Sequence, residues 1–276
     1  MSALFIQQLF DAPLDIIGDI HGEIAALQDL LQVLGYDDNG NHPENRKLIF
    51  VGDLCDRGLD SVAVILLVKQ LVESGNAQCV LGNHELNLLI NSRREGNGWF
   101  FGSPHEDDDK TFIFKKASLE DKKVISEFLS TLPLALESKK LRVVHACWDK
   151  KSIESLKQIH LGAIKHTYRH FVEKNKKNME ISGIWMKAEQ EEFKYDLQLN
   201  DVCAKVPILK YLAQRDLFEQ MNNPIKVLTS GAETLAEQVF YAGGKWRMVD
   251  RLPWWDYYED DIPVVIGHYW RNFNTT

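Results

Sequence analysis

The chain has 276 residues, of which 45% are hydrophobic and 26% charged, and carries a formal net charge of -8. That length builds one large domain or two small ones around a substantial core, and the composition shows no collagenous or disordered bias. The acidic balance excludes a generic binder of large nucleic acids or anionic membranes, which are gripped by excess Lys and Arg. A small phosphorylated substrate held through metal ions stays compatible.

Cys55, Cys79, Cys147 and Cys203 form no C-x-x-C pair, so neither a zinc knuckle nor a disulfide framework is expected. The N-terminal MSALFIQQLFDAP lacks a basic leader and a small-residue cleavage site, and VAVILLV at 62–68 is too short to span a bilayer. The expectation is a soluble cytoplasmic protein. No repeat or linker divides the sequence, which reads as one domain over 1–276.

Short apolar runs recur, each ending in a metal-binding residue type: LDIIGD (14–19), KLIFVGD (47–53), QCVLGN (78–83), LRVVHA (141–146) and PVVIGH (263–268). Unbroken runs of Ile, Val and Leu read as strands buried on both faces. Ile24, Leu27, Leu30, Leu31 and Leu34 mark a helical stripe that Gly35 can end. SVAVILLVKQLVESG reads as a second helix, with Ser61 as candidate N-cap and Gly75 as the stop. The first 90 residues are thus strand, helix, strand, helix, strand, the pattern of parallel β-α-β units. Ligands bind at the carboxyl ends of such strands, so the polar endings should gather at one rim.

Residues 92–110 form a polar, glycine-containing loop of the length used for functional lids. Residues 118–136 look helical, with a capping box at SLED, and 151–222 reads as a mainly helical insertion rich in Lys and Glu. IKVLTSG is then expected as a strand, and EQVFYAGGKWRMV as a hairpin turning at Gly243 and Gly244.

The strand ends supply Asp19, His21, Asp53, Asn83, His84, His145 and His268. Carboxylate and imidazole donors without a thiolate suit two divalent ions, manganese first, with iron or zinc also accepted. Two such ions about 4 Å apart clamp phosphoryl oxygens and acidify an attacking water. Arg57 offers phosphate a planar, bidentate fork. His84 can protonate a departing alkoxide, given Asp56 or Glu85 to orient it.

The ordered motifs GDIHG (18–22), GDLCDRG (52–58), GNHE (82–85), VVHA (143–146) and VIGH (265–268) resemble those of the calcineurin-like metallophosphoesterases, most closely the phosphoprotein-phosphatase branch and its bacterial members. The resemblance implies a fold of class α/β (α+β): a four-layer α/β/β/α sandwich of two mixed sheets, in place of the single parallel sheet read from periodicity. It also implies that Asp19 and His21 hold the first metal, that Asp53 bridges, and that Asn83, His145 and His268 hold the second. His84 would be the general acid with Asp56 as partner, and Arg57 the phosphate clamp. Arg251 and Arg271 are secondary candidates for substrate binding, outside any matching motif.

DRG, rather than the ARG common in symmetrical dinucleoside-tetraphosphate hydrolases, points towards a phosphomonoesterase resembling serine/threonine protein phosphatases, acting on a phosphorylated small molecule or a phosphoprotein. HACW and GHYWR depart from the eukaryotic phosphatase pattern. Dinucleoside polyphosphate hydrolysis and cyclic nucleotide cleavage are the alternatives within the enzyme class, and a non-catalytic metal-binding scaffold the alternative outside it. His42, His105, His160, His166 and His170 are expected at the surface, EDDDK as a solvated loop, and the aromatic pairs at 254–258 as packing.

Overall fold

The computed structural model describes residues 5–102, 113–159 and 162–269. His105, His160, Arg271, EDDDK and the part of the 92–110 loop from 103 onward lie outside the described residues.

Strands β2 (Leu14–Ile17), β3 (Lys47–Phe50) and β4 (Ala77–Cys79) form a sheet that is parallel throughout, with Ile17 level with Phe50 and Phe50 level with Cys79. A second, mixed sheet has the order β1 (Ile6–Gln8), β5 (Ala135–Glu137), β6 (Arg142–Val144), β9 (Val264–Val265). Its β1/β5 and β6/β9 pairs are parallel and its β5/β6 pair antiparallel. One of the two sheets is therefore mixed and the other is not.

The period of two along β3 explains the layering. Leu48 and Phe50 face a helix-side core with Leu27, Leu31, Val64 and Val68, whereas Ile49 and Val51 turn the other way onto Leu136 and Val143 of the second sheet. Both faces are dry, which is why KLIFV carries no polar alternation. Helices α1 (Ile24–Leu34) and α2 (Ser61–Glu73) are the crossovers between the parallel strands. Gly35 caps α1 in the left-handed conformation at φ 91°, while Leu30 of the expected stripe faces outward and is 40% exposed. His42 is half-buried rather than at the open surface, and its Nε2–H donates to Leu34 O at 3.0 Å.

Register puts the strand ends in common reach. The carboxyl ends of β2, β3 and β4 are level, and Val143 of β6 is level with Val265 of β9. The residues just beyond them are Asp19, Asp53, Asn83, His145 and His268.

Beyond Asn83, α3 (Asn83–Leu89) starts immediately, followed by α4 (Gly98–Phe101) and α5 (Leu119–Leu129). The Ser118 hydroxyl accepts the Asp121 N–H, so the expected capping box forms. The helix expected to reach 136 stops at Leu129, because Pro133 cannot continue it and Leu134 N–H instead bonds Phe5 O, entering β5. Four helices, α6 (Lys150–Lys157), α7 (Ile164–Ile181), α8 (Ile184–Leu199) and α9 (Lys210–Met221), occupy the Lys- and Glu-rich stretch.

IKVLTSG is not a strand. It forms α10 (Pro224–Ser230), since Pro224 sits in the first turn and the Asn223 side chain caps the Ile225 N–H. Ile225, Val227, Leu228 and Thr229 are all buried, and a fully buried run reads alike as strand or helix. The expected hairpin does form, as β7 (Glu233–Ala242) and β8 (Lys245–Arg251). The four cysteines are unpaired, and no described helix is long and apolar enough to cross a membrane.

Candidate metal centre

Glycines let the strand ends press together. Gly52 has φ 96°, and a Cβ there would lie 2.6 Å from Gly82 N and 3.0 Å from His145 Nδ1. A Cβ on Gly82 would collide with the Asp53 backbone N and carboxylate. Backbone strain concentrates at the same place: His21, Asp53, Asp56, Arg57 and His268 have positive φ, a conformation shared among described non-glycine residues only with Asn45 and Asn91. Such strain costs on the order of 1–3 kcal/mol per residue and persists where the surroundings fix it.

Glu85 does much of that fixing. Its fully buried carboxylate accepts the backbone N–H groups of Asp53 (2.9 Å), Leu54 (2.8 Å), Cys55 (3.3 Å) and Gly82 (3.1 Å), as well as the Cys55 thiol at 3.2 Å. Burial, with the nearby Asp53 charge, pushes its carboxyl above the usual range.

Two donor groups meet at Asp53, which is 3% exposed. The ligand atoms of His21, Asp53 and His84 lie within 4.8 Å of one another, and so do those of Asp53, His145 and His268. His21 Nε2 and His84 Nε2 stand 3.9 and 3.8 Å from Asp53 Oδ2. On the other side, His145 Nε2 is 3.3 Å from Asp53 Oδ1 and 3.2 Å from Asn83 Oδ1, which in turn lies 2.9 Å from His268 Nδ1. Asp19 is in neither group, but its carboxylate accepts the His268 backbone N–H at 3.0 Å.

The donor chemistry fits a cation. His145 Nδ1–H donates to Val51 O at 2.7 Å and His21 Nδ1–H to Cys55 O at 3.0 Å, leaving each Nε2 as the atom turned to the cluster. His145 Nε2 then faces two oxygen acceptors, an arrangement that needs a positive charge among them. Burial opposes charging His145, yet Asp53 and Asp19 push it up to about 9, so a proton on Nε2 meets that need at neutral pH and a bound cation would have to replace it. Burial and the charges of His145 and Arg251 push His268 down to about 3, keeping it neutral.

His84 belongs to the first group through Nε2, and its other nitrogen is taken: Nδ1–H donates to Asp56 Oδ2 at 2.6 Å, and Trp99 Nε1–H donates to Asp56 Oδ1, also at 2.6 Å. Burial works against charging His84, but the Asp56 hydrogen bond and the Asp53 charge raise it above the usual histidine range. Asp56 rather than Glu85 is therefore the carboxylate that meets His84. Ser61, expected to cap α2, uses its hydroxyl to accept the Asp56 N–H at 2.9 Å, and Asp60 caps the helix instead.

Arg57 is exposed and makes no hydrogen bond or ion pair with any described residue. Arg251 is also exposed, its guanidinium 5.3 Å from the Tyr269 ring centroid. His166 and His170 are exposed. Trp254 packs with its indole N–H on Ala146 O at 3.0 Å, as the packing reading expects. A recess of about 610 Å³ lined by Gln8, Glu137, Lys140 and Lys157, among others, contains none of the centre's residues.

Trp99 had no signal in the sequence: it sits in the polar segment read as a lid, and no spacing ties it to Asp56.

The model of the calcineurin-like phosphoesterase family matches residues 12–197. The chain belongs to that family. Its fold accordingly is the calcineurin-like metallophosphatase fold, of mixed α/β class, and the family is divalent-metal dependent.

Among curated relatives, the asymmetrical bis(5'-nucleosyl)-tetraphosphatase PrpE of Oceanobacillus iheyensis is 51% identical over 74 residues, covering 26% of this chain and 30% of the relative. The symmetrical bis(5'-nucleosyl)-tetraphosphatase of Marinomonas sp. is 33% identical over 147 residues, covering 51% and 48% respectively. That of Chromobacterium violaceum is 32% identical over 161 residues, covering 56% and 52%. The chain thus spans 30% to 52% of the length of these relatives. Among solved structures, a putative diadenosine tetraphosphatase matches with TM-score 0.35 and 25% identity over 53% of this chain and 55% of that one. A yeast serine/threonine phosphatase similar to human PP5 matches with TM-score 0.39 and 22% identity over 58% and 47%.

Proposed function

We propose that this protein is a dinuclear metal-dependent hydrolase of phosphoester and phosphoanhydride bonds. The observation that carries the proposal is the sharing of Asp53 between two groups of donors, His21 and His84 on one side and His145 and His268 on the other. Asp19, outside both groups, and His21 would hold one divalent ion with Asp53 while His84 is kept as the acid, and Asn83, His145 and His268 with Asp53 would hold the other. The oxygen and imidazole set accepts manganese, and also iron or zinc. When bound, such ions neutralise phosphoryl oxygens and acidify an attacking water.

The chain's own groups supply the rest. Arg57, exposed at the rim, forks onto the phosphate. His84, held by Asp56 at 2.6 Å and biased towards its protonated form, donates the proton that the leaving oxygen takes up.

Dinucleoside polyphosphates are the leading substrate class. The support is that relatives matching this chain over half its length are named bis(5'-nucleosyl)-tetraphosphatases, and this displaces the protein-phosphatase preference read from DRG. A phosphomonoester is the second reading, and the Asp56–His84 pair favours it: an alkoxide needs a proton to leave, whereas a nucleotide phosphate leaves as a stable anion. A non-catalytic scaffold has little support, since it requires no acid pair.

One comparison tests the proposal. With Mn2+ added, diadenosine tetraphosphate should be hydrolysed faster than a phosphoserine peptide or cyclic AMP. Preference for the phosphopeptide would transfer the assignment to the second reading, and Mn2+ binding without turnover of any of them would reject the enzyme.

A further inference from the structure

We infer that Trp99 is the positioning residue of the acid pair: its indole N–H occupies one oxygen of Asp56 so that the carboxylate presents only its other oxygen to His84. The inference rests on the proposed reading of His84 as the acid and adds to it the element that orients it.

Asp56 is completely buried, its carboxylate is bonded at both ends at 2.6 Å, and its backbone, at φ 72°, is held by Ser61. A buried carboxylate needs hydrogen-bond partners for its oxygens. The choice of donor matters. A Lys or Arg in place of Trp99 would form an ion pair with Asp56 and compete with His84 for its charge, whereas a neutral indole N–H fixes the rotamer and leaves the charge directed at the imidazole.

The segment carrying Trp99 is built to hold it. Trp99 is 1% exposed and lies in the one-turn helix α4. Buried Asn97 braces the turn before it, accepting the Arg94 N–H at 3.0 Å and donating to Ser92 O at 3.1 Å. Trp99 O accepts the Ala117 N–H at 2.9 Å, which ties the far side. The backbone at Gly96 runs so near that a methyl placed there would contact Arg57 N at 3.5 Å and Asp56 Cβ at 3.6 Å. In its described part, then, the polar segment read from sequence as a lid is a bracket that grips the acid pair from behind.

Trp99→Phe keeps an aromatic ring and removes the N–H. With Mn2+ and aryl phosphates graded from p-nitrophenyl to phenyl, kcat should fall about tenfold or more at the poor-leaving-group end and less than about threefold for p-nitrophenyl phosphate. KM and bound Mn2+ should stay unchanged, and in an Asp56→Asn background Trp99→Phe should cost nothing further. An equal loss along the whole series, or a full additional loss in the Asp56→Asn background, would reduce Trp99 to packing and overturn the inference. Should Trp99→Phe fail to fold, the indole proton of Trp99 in the Zn2+-loaded native protein gives the same decision. It should resonate downfield of the other indoles and move upfield in Asp56→Asn, and an unmoved resonance overturns the inference. His84→Ala separates this failure from that of the function proposal: if it too lacks a leaving-group signature, the acid reading itself falls, and if it alone shows one, only the role of Trp99 does.

Discussion

Glu85 Oε2 accepts the Asp53 backbone N–H at 2.9 Å, so the residue shared between the two donor groups is held from behind by a carboxylate that touches no metal donor atom of its own. Glu85→Gln is close to isosteric but turns an amide NH2 towards backbone N–H groups. An unsatisfied buried donor and the loss of charged hydrogen bonds should cost about 3 kcal/mol. Thermal unfolding should show Tm lowered by roughly 5–10 °C, together with weaker Mn2+ binding.

Gly18 and Gly82 occupy equivalent places in the sequence, each between an apolar run and a metal-binding residue type. Their surroundings differ. A Cβ on Gly18 meets nothing within 4 Å, whereas one on Gly82 strikes Asp53. Gly18→Ala should be tolerated within about 1 kcal/mol. Gly82→Ala should displace Asp53 and lose Mn2+ affinity at least tenfold, about 1.4 kcal/mol, as titration calorimetry would register.

The strand ends were legible because an apolar run, a glycine and a polar side chain leave one pattern in the sequence, repeated at Asp19, Asp53, Asn83 and His268, while His145 follows Val144 directly. What fixes those residues was not. Trp99 reaches Asp56 across 43 positions, and the Glu85 contacts run to backbone groups 30 residues away, which no periodicity records. The misread elements have local causes. A buried apolar run at 225–229 is ambiguous between strand and helix until Asn223 and Pro224 are weighed, and Asp60 outcompetes Ser61 as cap because Ser61 is engaged by Asp56. The three-residue strands β1 and β5 are too short to declare a period.

Away from the centre, the Arg46 guanidinium grips Asp15 in a two-pronged contact, and Tyr36 donates to the same carboxylate at 2.7 Å. Arg46 holds the Asp15 carboxyl below its usual range against the opposing effect of burial, with help from Tyr36. A depressed folded-state pKa stabilises fully above the unfolded value, near 3.9, and that contribution is lost as pH falls through the folded value. Asp15→Asn should therefore cost about 1–2 kcal/mol at pH 7, and the gap from wild type should narrow as pH drops below about 4. Urea unfolding at pH 7 and pH 3 would measure it, and a gap that widened in acid would contradict the assignment.

Metal stoichiometry decides whether one carboxylate serves two ions. Wild-type protein equilibrated with Mn2+ should hold two ions per chain, and Asp53→Asn should weaken both together. His84→Ala should retain two ions while losing about a hundredfold or more in kcat for phenyl phosphate, whose leaving group needs the proton. Loss of a single ion in Asp53→Asn, with the other bound at wild-type affinity, would contradict the shared site.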